Sequence, residues 1–531
     1  MEEKVSFRPI DNLAHDIPAS LVVFLVALPL CLGIALASGA PLFSGLVAGV
    51  VGGVVAGFLS KSPVSVCGPA AGLTTIVLAS IIELGSFPLF LTCVVMAGLL
   101  QLALGYLKAG TLGHFFPVSV IKGMLAAIGL ILILKQVPHA FGYDADFEGD
   151  ENFFQPDGEN TFTEIVYAIQ HLSLGAIVVS AISLVILFVW TRLADKKVKG
   201  INYLPAPLVV VLVGILLNYF FHHFIPELEI QESHLVTLPD FNSTGLLTFP
   251  DFAGFADPRI YTIAVTLAIV ASIETLLSLE AADKIDPLKR ITPLNHELKV
   301  QGVSNVVSGL LGGLPITAVI VRTSANVQAG ARTKTSAILH GILLAFVVLV
   351  IPGVLKKIPF ACLAGILLMV GYKLTTPGLY RQMYGKGKDQ FLPFIVTIGG
   401  ILFTDLLMGI FAGILASVFF VLKTNFRSAI ILVNNQDQYL LKFTKDVSFV
   451  HKSTLRKALE KVPNNSTLMI DGSKSTFLDA DIIETIEDFS KSAFTKNIFV
   501  EIKKTNDASN PFFKRENGRP QHNGTLKSIK K

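Results

Sequence analysis

The chain has 531 residues, of which 52% are hydrophobic and only 15% are charged, and its net charge at pH 7 is +4. A soluble domain usually has about a quarter of its residues charged, and a core this apolar would leave large hydrophobic patches facing water. The basic residues lie between long apolar runs rather than along one stripe, which argues against nucleic acid as a partner. The composition therefore predicts an integral membrane protein embedded in a lipid bilayer.

Apolar runs long enough to form membrane-spanning helices occur along most of the chain. A helix that crosses the bilayer core needs about 20 mainly apolar residues, and fewer if it stops halfway. The sequence contains about fourteen such runs, which predicts an all-α polytopic membrane protein. The first half contains runs at 17–37, 41–59, 64–82, 88–107, 115–137, 171–190 and 205–224. The second half contains runs at 259–281, 300–312, 315–330, 335–352, 358–373, 391–406 and 407–424.

Loop charges predict the orientation of these spans. Lys and Arg residues cluster in loops on one side, for example in 192–199 and 284–299. The long loops on the other side, 138–160 and 225–258, contain no Lys or Arg and carry several acidic residues. Because basic loops stay in the cytoplasm, both termini are expected to be cytoplasmic and the membrane to be the bacterial inner (cytoplasmic) membrane. The polar start of the chain shows no cleavable secretory signal.

The third run in each half is interrupted by Gly and Pro, at 65–72 and at 312–317. Two halves of seven spans each have inverted topology, and broken helices at matching positions are the best sequence indication of a binding site at the membrane midplane. The N-terminus of a half-helix presents unpaired N–H groups and attracts anions. If the two breaks face each other, two such ends meet at one anion site. The alternative interpretation of each break is ordinary helix packing.

Two charged residues within spans are the leading functional candidates, because such residues are costly in a membrane. Glu274 lies well inside the eighth run, and Ser278 follows one helical turn later on the same face. This pair could bind Na⁺, or the carboxylate could take a proton. Arg322 follows Pro315 by about two turns and would add a positive charge to the anion site. Alternatively, Glu274 has a structural hydrogen bond, and Arg322 reaches toward the cytoplasm or pairs with a carboxylate.

Nothing in the sequence indicates an enzyme. It contains no phosphate-binding loop, no HExxH zinc motif and no G-x-S-x-G motif, and the lack of a Walker motif argues against an ATP-driven pump in a single chain. The four cysteines have neither metal-ligand nor disulfide spacing, and we interpret them as small buried apolar residues. They are Cys31, Cys67, Cys93 and Cys362. No cofactor is expected beyond a coupling ion, Na⁺ or H⁺.

The composition becomes polar beyond residue 425, where the transmembrane part ends. The sequence therefore predicts four parts. These are a cytoplasmic N-terminal segment 1–16, a transmembrane domain 17–424, a small cytoplasmic α/β domain 425–504 and a disordered tail 505–531. In the α/β domain, period-2 and helical patterns predict both strands and helices. The predicted strands are 439–443, 466–470 and 497–502, and the predicted helices are 454–461 and 479–490.

An ordered set of motifs resembles the SulP family of sulfate permeases and related anion transporters over about residues 11–505. The motifs are Pro29, the stretch Ser65–Ala71 (SVCGPAA), Leu314–Thr317 (LPIT) leading to Arg322–Asn326 (RTSAN), and Gly330–Thr333 (GART). The polar tail resembles a STAS domain at 468–471 and 477–481. The resemblance implies fourteen helices in two inverted repeats of seven, arranged as a core and a gate domain. It also implies a homodimer and elevator-type transport.

The resemblance also implies a set of site residues. The anion would be surrounded by Cys67, Gly68, Ala70, Thr317, Ala318, Val319 and Arg322. Glu274 occupies the acidic position used for cation or proton coupling, and Ser278 matches a hydroxyl that helps to bind Na⁺ in bicarbonate-transporting members. With Glu at 274 and Arg at 322, the chain is more similar to proton-coupled members than to sodium-coupled ones.

We therefore expect secondary active transport of a small inorganic anion, sulfate or bicarbonate, by symport with H⁺ or Na⁺. Three alternatives stay open. The chain could be an uncoupled anion channel or exchanger, a nucleobase–cation symporter of the same architecture, or an anion sensor or scaffold that transports nothing.

Overall fold

The computed structural model describes residues 12–144, 160–195, 205–236, 247–350, 352–427, 429–475 and 477–503. The chain divides into two units, Met1–Ser417 and Val418–Lys531. The tail predicted to be disordered, 505–531, and most of the predicted N-terminal segment, 1–11, lie outside the described residues.

The first half of the first unit follows the predicted runs closely. Its third run is a short strand followed by a helix rather than one continuous helix. The elements are α1 (Leu13–Ala37), α2 (Leu42–Leu59), β1 (Cys67–Pro69), α3 (Thr74–Leu84), α4 (Phe87–Tyr106), α5 (Val118–Phe141), α6 (Thr161–Gln170), α7 (Leu174–Asp195) and α8 (Ala206–Phe224). The structure adds α6, which lies between two predicted spans and starts with a capping box formed by Asn160 and Thr163.

The second half repeats this arrangement, including a strand followed by a helix in its third run. A short helix that was not predicted, α14, follows the twelfth run because Pro377 at its start favours a new first turn. The elements are α9 (Pro258–Ile285), α10 (Leu294–Leu310), β2 (Ile316–Ala318), α11 (Ile320–Gln328), α12 (Thr335–Val350), α13 (Phe360–Leu374), α14 (Pro377–Gly385), α15 (Lys388–Phe403) and α16 (Leu406–Arg427).

Within the described residues, nine helical segments are long and apolar enough to cross a membrane. Helices α3 and α12 are apolar but shorter. Helix α10 belongs neither to the nine long segments nor to these shorter apolar helices. α10 coincides with a predicted run but buries Gln301, Ser304 and Asn305 inside the protein. Side chains of this kind lower the hydropathy of a helix, and burial against neighbouring helices lets them stay inside a membrane protein. The predicted class, a mostly helical polytopic membrane protein, is confirmed.

The second unit is an α/β domain with a four-stranded sheet. The strand order is β3 (Ile430–Asn435), β4 (Gln438–Phe443), β5 (Thr467–Asp471) and β6 (Phe499–Lys503). β3 pairs antiparallel with β4, and the other pairs are parallel, connected through α17 (Lys452–Glu460) and α18 (Ala480–Ala493). The predicted strands and helices are confirmed to within a few residues. β3 was missed because it is an edge strand whose second half is exposed.

On the side of the membrane predicted to face away from the cytoplasm, one buried carboxylate joins two segments of the chain. The Asp144 carboxylate accepts a hydrogen bond from His139 Nδ1 at 2.5 Å and another from His234 Nδ1 at 2.5 Å. We call these three residues the His–Asp–His clasp. Nearby along the chain, Lys135 and Glu164 form a buried pair at 3.4 Å that joins α5 to α6. The end of α5 is therefore connected by buried polar contacts both to α6 and to the loop after α8.

The clasp shifts the pKa of the groups that form it. Burial alone would raise the pKa of Asp144, but the hydrogen bonds from His139 and His234 outweigh it and hold the pKa below its ordinary value of 3.8. The hydrogen bond to Asp144 raises the pKa of His234 above its ordinary value of 6.5, against the opposing effect of burial. A carboxyl group whose pKa is lowered by folding stabilises the folded protein at pH values above the pKa that the group has in the unfolded chain. A histidine whose pKa is raised by folding stabilises the folded protein at pH values below its pKa in the unfolded chain.

The contribution of the clasp to stability should therefore be complete between pH 3.8 and 6.5. It should fall at higher pH as His234 loses its proton through its raised pKa, and at lower pH as Asp144 is protonated. His234→Gln keeps a donor but removes the charge, so the decline above pH 6.5 should disappear. Thermal unfolding of both proteins across this pH range measures the difference.

His222→Gln is the matched control for this prediction. His222 also contacts a carboxylate, Glu229, but both side chains are exposed, so water and salt screen the pair. An identical decline above pH 6.5 in the His234 variant and the wild type would show that the loss of the proton from His234 does not cause the pH dependence.

Candidate anion site

The two interrupted runs meet inside the first unit. β1 and β2 form an antiparallel pair in which Cys67 is opposite Ala318, Gly68 is opposite Thr317, and Pro69 is opposite Ile316. Both strands are fully buried. β1 leads into a helical segment at Ala71–Leu84, and β2 leads into α11. The breaks therefore face each other. The prediction that two half-helix ends meet at one anion site depended on this arrangement.

Proline and glycine explain why the chain is extended at this place. Pro69 lacks an N–H group, so it cannot donate the hydrogen bond of a helix interior, and a proline also disfavours a helical conformation in the residue before it. Glycine in α2 allows the strand to approach closely, since a Cβ at Gly52 would lie 2.5 Å from the Cys67 carbonyl oxygen. The β1 backbone thus lies directly against the backbone of α2.

Arg322 lies in the first turn of α11 and is fully buried. Its Nη2 donates to Cys31 Sγ at 3.3 Å, whereas Nε and Nη1 have no hydrogen-bond partner among the residues that the structure describes. The expected separation of two turns from Pro315 is wrong, because part of the intervening segment is the extended strand β2. Complete burial also excludes the alternative in which Arg322 reaches toward the cytoplasm.

Two glycines of the first interrupted run lie against the two charged candidates. A Cβ at Gly68 would be 2.1 Å from Arg322 Nη1, so the guanidinium rests on the Gly68 backbone. A Cβ at Gly72 would be 3.3 Å from both carboxylate oxygens of Glu274. Gly68 of the first break therefore lies against Arg322, and Gly72 lies next to the Glu274 carboxylate.

Both charged groups line one small cavity of about 30 Å³. Of the predicted residues, Glu274, Ser278, Val319 and Arg322 line it. Much of the remaining lining is apolar, and α1 and α5 contribute Leu30, Ile34, Met124 and Ile128 to it. The other predicted anion-site residues, Cys67, Gly68, Ala70, Thr317 and Ala318, belong to the paired strands or follow them directly, while Ala71 rather than Ala70 reaches the cavity wall.

The two strands are held by polar contacts that the sequence did not predict. Gln301 Nε2 donates to Cys67 Sγ at 3.0 Å, and the Asn305 amide bonds to both backbone groups of Ile316. The available signal was two amides spaced four residues apart in an apolar run. All four cysteines are buried, as expected, but Cys31 and Cys67 each have a polar hydrogen-bond partner, so their description as purely apolar residues was incomplete.

Two facing half-helices with charged side chains between them are the arrangement of a secondary transporter built from inverted repeats. Residues 13–397 match the model of the sulfate permease family, and the chain therefore belongs to that family. A putative sulfate transporter of Bacillus subtilis, YvdB, is 28% identical over 416 residues, which cover 78% of this chain and 74% of that protein. The bicarbonate transporter BicA of a Picosynechococcus species is 27% identical, covering 69% of this chain and 62% of that protein.

Solved structures show the same fold. The transmembrane domain of a cyanobacterial bicarbonate transporter BicA has a TM-score of 0.54 at 24% identity, covering 77% of this chain and 99% of that chain. The structure of SLC26A9 has a TM-score of 0.66 at 16% identity, covering 93% of this chain and 85% of that chain.

The contact between Gly68 and Arg322 can be tested by a single methyl group. Gly68→Ala places a Cβ where the guanidinium lies, and the backbone and a buried charge must move to accommodate it. We expect a loss of about 1–3 kcal/mol in the free energy of unfolding, the usual effect of overpacking a core. Denaturant unfolding in detergent measures it.

Gly399→Ala is the control, because a Cβ at this position in α15 meets open space. There the substitution should be neutral or should stabilise the helix by up to about 1 kcal/mol. If Gly68→Ala unfolds at the same denaturant concentration as the wild type, the close contact with Arg322 does not exist in solution.

Proposed function

We propose that this protein transports a small inorganic oxyanion, sulfate or bicarbonate, by secondary active transport coupled to H⁺ or Na⁺. The observation that carries the proposal is the buried Arg322 guanidinium, whose Nε and Nη1 donors face no protein acceptor among the described residues. The names of the relatives, putative sulfate and bicarbonate transporters, support the same substrate class.

The chemistry of Arg322 favours an oxyanion as its partner. Burying a charged group without hydrogen bonds costs several kcal/mol, so a guanidinium in this position calls for an acceptor with negative charge. Two oxygens of an oxyanion match the planar fork of arginine donors. The first backbone N–H groups of α11, one turn or less from Arg322, lack helical acceptors and add to the attraction.

The size of the cavity favours a small solute. A volume of about 30 Å³ accommodates roughly two water molecules. An oxyanion of four or five non-hydrogen atoms needs a smaller movement of the cavity walls than a nucleobase, which has many more atoms.

Glu274 supplies the proposed coupling. Each uncompensated charge that moves against a membrane potential costs about 2.3 kcal/mol per 100 mV, so an anion that enters a negative-inside cell needs an accompanying cation. The Glu274 carboxylate lines the same cavity as Arg322, one turn before Ser278. In this proposal Glu274 takes a proton, or Glu274 and Ser278 bind Na⁺, and an elevator-type movement of core against gate carries both ions.

Replacing Arg322 tests the anion site. Arg322→Gln removes the charge, and we expect uptake of labelled sulfate and bicarbonate into proteoliposomes to fall at least tenfold. Arg322→Lys keeps the charge but loses the fork, so partial activity should return. Arg259→Gln is the control, since that arginine is exposed and pairs with Asp257 away from the cavity. Uptake by Arg322→Gln at the wild-type rate would exclude Arg322 from the anion site.

Replacing Glu274 tests the coupling. Uptake by the wild type should follow an imposed pH or Na⁺ gradient, and Glu274→Gln should lose that dependence. Glu280→Gln on the same helix is the control, because Glu280 pairs with His114 and does not line the cavity. Wild-type uptake that ignores both gradients would favour the uncoupled channel or exchanger. Specific anion binding without any uptake would favour the sensor.

A further inference from the structure

Helix α10 presents two buried amides to the paired strands. Gln301 and Asn305 are one helical turn apart, so they lie on the same face, and neither is more than 1% exposed. Gln301 contacts β1 through Cys67, as described above. Asn305 contacts β2: its Nδ2 donates to the Ile316 carbonyl at 3.0 Å, and its Oδ1 accepts from the Ile316 N–H at 2.6 Å.

The Asn305 amide acts as one peptide unit of an additional strand. The backbone N–H and C=O of Ile316 lie at the edge of β2 that does not face β1, so β1 cannot satisfy them. Asn305 supplies both the donor and the acceptor for Ile316. Its contact fixes the start of β2, the strand that leads directly into the turn of α11 that carries Arg322.

The same amide continues through α4 to α9. Asn305 Nδ2 also donates to Gln101 Oε1 at 2.7 Å, and Gln101 Nε2 donates to Ser272 Oγ at 3.3 Å. Glycine packing brings α4 and α10 together, since a Cβ at Gly98 of α4 would lie 2.7 Å from the carbonyl oxygen of Gly302 in α10. We call the chain Ser272–Gln101–Asn305 the amide relay; each of its members is buried.

Helix α9 therefore contacts β2 at both ends of the strand. The amide relay joins Ser272 to the start of β2, and the Ala318 N–H at its end donates to Thr275 Oγ1 at 3.4 Å. Ser272 and Thr275 flank Glu274 in the sequence. A displacement of α9 at Glu274 therefore either moves β2 through these two contacts and the direct packing of α9 on the strand, or breaks the two contacts.

We propose that Gln101, Asn305 and Thr275 are positioning residues that transmit the charge state or ion occupancy of Glu274 to the anion site. The inference rests on the proposed function, in which Glu274 is the coupling residue. It goes further by naming the residues that connect coupling to anion binding. Buried hydrogen-bond networks of this kind can transmit a change between sites, and variants that interrupt them measure whether they do.

Gln101→Met is the most specific variant. Methionine has a similar length and volume, removes the link between Asn305 and Ser272, and leaves the contact of Asn305 with Ile316 in place. Binding of labelled sulfate or bicarbonate without a gradient should stay within about threefold of the wild type. The accumulation driven by a pH or Na⁺ gradient should fall at least fivefold. Thr275→Val should have the same effect, and the double variant should abolish accumulation.

Gln136→Met is the matched control, because Gln136 is a buried glutamine of α5 outside the amide relay. It should keep both anion binding and accumulation. Equal loss of binding and accumulation in Gln101→Met and Thr275→Val would show a merely structural role. Full gradient dependence in both variants would show that the relay transmits nothing. A wild type without gradient-driven uptake would instead contradict the proposed function itself.

Discussion

The burial of one arginine is the constraint on which the rest of the site depends. A guanidinium that is removed from water loses a large solvation energy, and its single protein partner of those described, the Cys31 sulfur, is a weak acceptor. Gly68 leaves room for the guanidinium, but the beginning of α11 is the positive end of a helix dipole and adds to the cost of burying this charge. A side chain larger than hydrogen at position 68 would occupy the space of the guanidinium.

Close backbone approach also explains the packing around the paired strands. Gly52 lets α2 reach the Cys67 carbonyl, and the contact between Gly98 and Gly302 lets α4 reach α10. Small residues serve this purpose in membranes, where apolar side chains gain nothing by leaving lipid for one another. Because helices α4 and α10 are so close, the amides of Gln101 and Asn305 can bond directly. The Asn305 amide also bonds to the backbone of Ile316 at the free edge of β2.

Periodicity and hydropathy were sufficient to predict the long helices of the first unit, but not the short helices α6 and α14 or the contacts between helices. The Gly and Pro residues at 68–69 and 315 correctly marked both breaks, since these residue types interrupt a helix locally. That the breaks would pair as strands depends on contacts between residues some 250 positions apart, which no local pattern contains. The amides at 301 and 305 were visible in the sequence, but only the packing of α10 decides whether they face lipid, another helix or a strand. Arg322 was recognised because a charge in an apolar run is conspicuous by itself.

Under the proposed function, the charges in the cavity connect the valence of the anion to the state of Glu274. Arg322 carries one positive charge, and each half-helix end contributes about half a charge more, so the positive groups sum to about two. A divalent sulfate balances this sum only when Glu274 is neutral, which favours entry of a proton with the anion. A monovalent bicarbonate balances it when Glu274 is ionised. In a cavity of low dielectric, an unbalanced charge is costly, so binding of the anion and of the coupling ion depend on each other without any further device. The amide relay and Thr275 then determine how rigidly the two binding events are held together.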